Sequence, residues 1–230
     1  MKTALIFIFA FGISFSQAQN NSEYNQTWIS GAYQQNIKKW NFRLDGSYRS
    51  IESFKYNRQF IIREISSYNF NSHWQIGTGP CLSWQYPYGS LKPVMELRPT
   101  IQLIGRTNIS NNKYENGKFE NNKSEFSIRF RWEFRYFKNE TDFLPIYHRG
   151  RILTRLKIAL NEKSSLIFQE EMMFQRNPTD KFKFQTNRIY IGWSYKFKNF
   201  FIEPALMFQF IKRSPTENEI DNNFILNVMN

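Results

Sequence analysis

Every second side chain between residues 126 and 137 is large and apolar. Phe126, Ile128, Phe130, Trp132, Phe134 and Tyr136 alternate with Ser127, Arg129, Arg131, Glu133 and Arg135. A β-strand sends successive side chains to opposite faces, so this stretch has one apolar and one charged face only as a strand. On a helix the same spacing would scatter both kinds around the axis. The pattern recurs down the chain. Trp40, Phe42, Leu44 and Tyr48 oppose Asn41, Arg43, Asp45 and Arg49, and Trp74, Ile76, Leu82, Trp84 and Tyr86 oppose Gln75, Cys81, Ser83 and Gln85. Met95, Leu97, Ile101 and Leu103 oppose Glu96, Arg98, Thr100 and Gln102, and Ile152, Leu156 and Ile158 oppose Arg149, Arg151, Arg155 and Lys157. Ile189, Ile191, Trp193 and Tyr195 oppose Arg188 and Tyr190, while Leu206, Phe208 and Phe210 oppose Glu203 and Gln209.

Four weaker segments, about 24–35, 58–69, 165–175 and 222–229, bring the count to eleven. Adjacent Glu170 and Glu171 put a carboxylate on each face of 165–175 and leave its phase open. Short polar connections, such as Asn161-Glu162-Lys163-Ser164 and Lys198-Asn199, join many of the segments, and longer ones span 107–123, 138–145, 176–183 and 212–221. The chain reads as one domain, an all-β antiparallel meander of hairpins.

The N-terminus is separate from this fold. One lysine, an apolar stretch from Ala4 to Phe15 and small residues at Ser16 and Ala18 make residues 1–18 a secretory signal peptide, leaving 19–230 as the mature domain.

A one-domain meander can bury its apolar face in a soluble barrel or turn it outward to lipid. Strands of roughly 12 residues, tilted by about 40°, cover the bilayer's hydrocarbon thickness. Trp40, Tyr48, Trp74, Trp84, Tyr86, Tyr136 and Tyr195 lie near strand ends on the apolar face, as interfacial girdles do. The 24 Phe and 6 Trp exceed what a small closed interior can hold. The expectation is an antiparallel up-and-down transmembrane β-barrel of the bacterial outer membrane, reached through the secretory pathway. Length bounds the barrel to eight to twelve strands, the pattern points to ten to twelve, and the even strand number of bacterial barrels favours twelve over ten. The chain is too short for a porin of 16–18 strands. Pro80, Pro99 and Pro204 fall within strand patterns, where a missing N–H interrupts a ladder.

The polar face carries the chemistry. Arg129, Arg131, Glu133, Arg135, Arg149, Arg151, Arg155, Glu171 and Arg188 are expected to face the lumen as a charged network. Two roles fit it: an ion-paired interior that rigidifies the barrel, or a narrow path leaning toward small anions. A net charge of +12 on an exported chain suits lipopolysaccharide phosphates and acidic lipids rather than nucleic acid. One cysteine and two histidines leave no metal-site spacing, and no cofactor motif is present. His148 is followed by Arg149 and Gly150, so the His-x-Ser pattern of an outer-membrane phospholipase is absent. A non-enzymatic barrel is therefore expected, with a lipid-modifying barrel enzyme and a soluble secreted lipid-binding β-barrel as alternatives. The sequence does not give the oligomeric state.

Four segments together resemble a known family. They are Phe126-Ser127-Ile128-Arg129-Phe130-Arg131-Trp132-Glu133-Phe134-Arg135-Tyr136, the Arg149-to-Leu156 strand, Gln169-to-Phe174 and Asn187-to-Gly192. The arrangement is similar to an uncharacterised family of predicted outer-membrane β-barrel proteins of Gram-negative bacteria, classed as a domain of unknown function. The resemblance implies fold and location and supplies no activity. The terminal Asn230 departs from the aromatic ending usual for such barrels.

Overall fold

Polar turns fold the alternating segments back on one another. The Asn71 side chain accepts hydrogen bonds from the backbone N–H groups of His73 (2.8 Å) and Trp74 (2.9 Å). Asn161 does the same for Lys163 (2.9 Å) and Ser164 (2.8 Å). Asn favours turns because its side chain bonds to the backbone two residues on. Lys38 and Lys198 open two-residue turns with φ of 54° and 52°.

The computed structural model describes residues 22–52, 54–87, 90–115, 118–138, 146–179, 181–212 and 218–229. Their strands are β1 (Ser22–Ile37), β2 (Trp40–Ile51), β3 (Tyr56–Asn69), β4 (Trp74–Gly79), β5 (Cys81–Gln85), β6 (Val94–Leu97) and β7 (Thr100–Glu115). β8 (Lys118–Lys138), β9 (Tyr147–Ala159), β10 (Ser164–Arg176), β11 (Lys183–Phe197), β12 (Phe200–Lys212) and β13 (Asn218–Met229) follow. They form one closed sheet. β4 and β5 are two halves of one stave broken at Pro80, and β6 and β7 are halves of another broken at Pro99, so the barrel has eleven staves.

Twelve was the favoured strand number, and eleven is found. Sequential strands pair antiparallel, and the barrel closes by a parallel pairing of β1 with β13, from Ser22↔Glu219 to Ala32↔Met229. An odd number of alternating strands leaves the first and last pointing the same way, so closure is parallel and the sheet is mixed. Residues 1–18, expected as a signal peptide, and Asn230 lie outside the described residues.

The prolines sit within the staves. Pro80 and Pro99 fall opposite each other, between the pairs Gly79↔Thr100 of β4–β7 and Leu82↔Leu97 of β5–β6. Cys81 and Arg98 exchange both backbone bonds beside them, at 3.1 and 2.7 Å. Each proline keeps its carbonyl in the ladder, Pro80 accepting from Glu64 N–H and Pro99 from Phe134 N–H. The cost is one donor per stave, and the barrel stays closed around it.

The two ends of the barrel differ. At one end the turns 38–39, 70–73, 160–163 and 198–199 have two to four residues, while the connections 52–55, 86–93, 139–146, 177–182 and 213–217 at the other have four to eight. The segment 107–123, expected as a connection, is instead mostly strand. β7 and β8 continue past their neighbours at the short-turn end, and their pairing runs to Glu115↔Lys118.

Alternation sets which side chains point where. Leu44, Leu206, Phe208, Phe210 and Trp193 point outward and are exposed, while Asp45, Glu96, Arg131, Glu133, Glu171 and Glu203 point inward and are buried. Ile167, Tyr190, Ala205, Met207 and Ile225 form an apolar wall inside, against which Trp28 packs. In β10 the open phase resolves with Glu171 inward and Glu170 outward. Glu170 accepts from Asn187 Nδ2 (3.1 Å), and the outward Glu64 accepts from Ser66 Oγ (2.6 Å).

Candidate functional site

The β8–β9 register places Arg131 opposite Arg151 and Glu133 opposite Arg149. Facing like charges at about 4 Å would repel by roughly 4 kcal/mol at an effective dielectric of 20. Carboxylates from neighbouring staves separate them. Arg151 donates through Nη1 to Glu133 Oε1 (2.7 Å) and through Nη2 to both oxygens of Glu171 (2.7 and 2.8 Å). Glu171 also accepts from Arg129 (3.3 Å) and Arg188 (3.3 Å). Arg131 instead donates to Gln102 Oε1 (2.8 and 3.2 Å) and lies 4.0 Å from Glu133.

A second knot lies toward the long-loop end. Glu96 accepts from Arg98 (2.5 Å), from Arg135 and from Gln85. Arg135 also reaches Gln175 (2.5 Å), and Arg149 sits between Gln175 (3.3 Å) and Glu133 (3.7 Å). Eight of the nine expected residues thus join one connected set. Arg155 stands apart and pairs with Glu203 (3.1 Å) nearer the short-turn end.

Sequence reasoning left several participants outside the expected network, Arg49, Arg63, Gln102 and Trp28 among them. Arg63 forms a two-pronged pair with Asp45 (2.8 and 3.1 Å). Gln102 holds Arg131, as described above. Trp28 carries the Arg49 guanidinium 3.6 Å from its ring centroid and that of Arg188 at 5.1 Å. Arg49 and Gln102 lie on polar faces legible from alternation. Trp28 is in the weak first segment, where Gly31, Ala32 and scattered polar residues hide the phase.

Side-chain exposure differs between the two ends of the interior. Toward the long loops, Ser83 and Glu96 are fully buried, and Gln59 donates to Ser83 Oγ (2.7 Å). Toward the short turns, the side chains of Arg43 and Arg155 are 37% and 29% exposed, which marks a mouth. Between them lies a cavity of about 460 Å³ lined by ten arginines and five carboxylates, so the walls carry a positive excess. A second hollow of about 540 Å³ lies on the outer face, where Gly150 leaves a depression walled by Phe130, Trp132, Ile152 and Phe174, with Phe182 at one side.

Both histidines lie outside this interior. His73 is in a short turn with Nδ1 3.1 Å from Arg106 O, and His148 packs against Trp132 and Phe134. Among the described residues, no group of three or more His, Cys, Asp or Glu side chains could hold a metal.

A family model described as a protein of unknown function, DUF2490, matches residues 25–220, most of the chain. The chain belongs to the DUF2490 family. No curated protein and no solved structure matches it. The DUF2490 match begins in β1 and ends in β13, so the matched residues span the barrel.

Proposed function

We propose that this DUF2490 barrel is a non-enzymatic protein of the Gram-negative outer membrane whose basic interior is accessible to small anions from one end. The observation that carries the reading is the inversion of the two faces. Large apolar side chains such as Leu206 (57% exposed) and Leu44 (52%) point outward, while Glu96 (0%) and Glu171 (3%) are buried inside. Water outside would favour the opposite arrangement, whereas lipid outside favours this one. Most staves have 12 or more residues, enough for a tilted span of the hydrocarbon layer. The signal peptide expected at 1–18 supports export, and lipopolysaccharide and acidic lipids are the partners that suit the surroundings. The outward or turn positions of both histidines support a non-enzymatic role.

The buried knot around Glu96 supports a plugged interior over a through-path. Wild-type protein in planar bilayers should give no open-pore steps. The double substitution Glu96→Ala/Arg135→Ala, which removes the knot, should give small chloride-preferring steps. Fractionation of cells with outer membranes, together with a heat-dependent shift in gel mobility, tests the location. Recovery in the soluble periplasmic fraction would overturn the membrane reading, and a large cation-selective pore would overturn the assignment of the interior.

A further inference from the structure

The charge excess in the cavity is concentrated near Trp28. The Arg49 guanidinium lies over that ring and has no ion-pair partner among the described residues. Arg63, Arg98, Arg151 and Arg188 line the same cavity. Arg188 reaches the same indole, and both line the cavity. Arg131, 5% exposed, also lines it, and its Nη1 is buried without a hydrogen-bond partner. Buried guanidinium groups are ordinarily matched by acceptors, because an unmatched charge in a low-dielectric interior is costly. Four of the five cavity carboxylates already pair with arginines, namely Asp45, Glu133, Glu203 and Glu171, the last with three of them, and Glu125 lies opposite Lys157 of β9.

The geometry points to a blind receptor pocket in the barrel interior that binds a compact, multiply charged oxyanion of the phosphate class at Arg49, Arg188 and Trp28, entered from the short-turn end. This rests on the barrel-interior reading above and adds the ligand class and its seat. A tetrahedral oxyanion presents several acceptors at once and suits a ring of guanidinium forks better than a monovalent halide does. The apolar wall of Ile167, Met207 and Ile225, against which Trp28 packs, keeps further polar groups away from that side of the seat. The floor formed by Glu96, Arg98 and Ser83 prevents passage to the other side.

The molecule carries its own reporter. Of six tryptophans, Trp40, Trp74, Trp84, Trp132 and Trp193 are on the outward face, and Trp28 lies inside. The full-length mature protein is reconstituted in vesicles containing brominated lipid, which quenches tryptophans at the lipid surface. The remaining Trp28 emission is followed while inorganic pyrophosphate is added at constant ionic strength against chloride. A saturable change is expected, absent in Trp28→Phe and weakened about tenfold or more in Arg49→Gln. Iodide should quench Trp28 and caesium should not. The absence of a saturable change beyond chloride, or an unaltered one in Arg49→Gln, would overturn the proposal. Should Arg49→Gln fail to fold, calorimetric titration of the wild type with pyrophosphate decides, since no heat of binding would be equally fatal. Loss of bromine quenching of the five outer tryptophans would instead count against the membrane reading, and the pyrophosphate response in detergent would still judge the pocket.

Discussion

Arg151 is the residue on which the charged interior turns, because it alone bridges Glu133 and Glu171 at 2.7 Å to each. Both carboxylates are almost fully buried. Arg151→Ala would leave them facing each other with weaker partners, and breaking such a buried pair costs about 3–5 kcal/mol. Arg155→Ala removes the partly exposed half of a pair, leaving one buried carboxylate, Glu203, without it, and should cost less, about 1–2 kcal/mol. Urea unfolding followed by gel mobility compares the two. Equal losses would mean that Arg151 is as well hydrated as Arg155. Alternation in the sequence told which residues face inward, and Arg129, Arg131, Glu133 and Arg135 are all where it placed them. It could not tell which carboxylate meets which arginine. That depends on register between strands distant in sequence, such as the 48 positions separating Arg155 from Glu203.

At the level of elements, glycine placement shows where the sheet is tight. A Cβ on Gly79 would lie 2.1 Å from the backbone oxygen of Glu64, at the point where Pro80 interrupts the stave. Backbone cannot yield as a side chain can, so Gly79→Ala should destabilise by about 2–4 kcal/mol. A Cβ on Gly31 meets nothing nearer than 3.9 Å, and Gly31→Ala should stay within about 0.5 kcal/mol. Thermal unfolding of both variants checks the contrast. A tolerated Gly79→Ala would mean that β3 and β4 are further apart than the fold shows. Most strands were legible because their outward faces are continuous runs of Phe, Trp, Ile and Leu. The β7–β8 extension was not, because 107–123 is polar on both faces and carries no two-sided pattern. Its one usable signal was Asn116-Gly117, the dipeptide that most favours a two-residue hairpin.

For the whole molecule, strand parity decides which end each terminus occupies. Even-stranded barrels return both termini to the same end, and with that rule the short turn at 38–39 conflicts with an N-terminus on the short-turn side. Eleven staves remove the conflict. β1 starts at the end of the long connections, and β13, running parallel to it, finishes at the end of the short turns. Under the outer-membrane proposal, the short turns face the periplasm. The start of β1 should therefore face the cell exterior and the end of β13 the periplasm. Single cysteines at Glu23, Lys55, Lys198 and Met229, in a Cys81→Ser background, test this with a maleimide reagent that does not cross the outer membrane. Glu23→Cys and Lys55→Cys should label on intact cells, whereas Lys198→Cys and Met229→Cys should label only after the membrane is opened. Labelling of Glu23→Cys and Met229→Cys from the same side would require an even number of crossings, and the parallel closure of β1 on β13 would have to be abandoned.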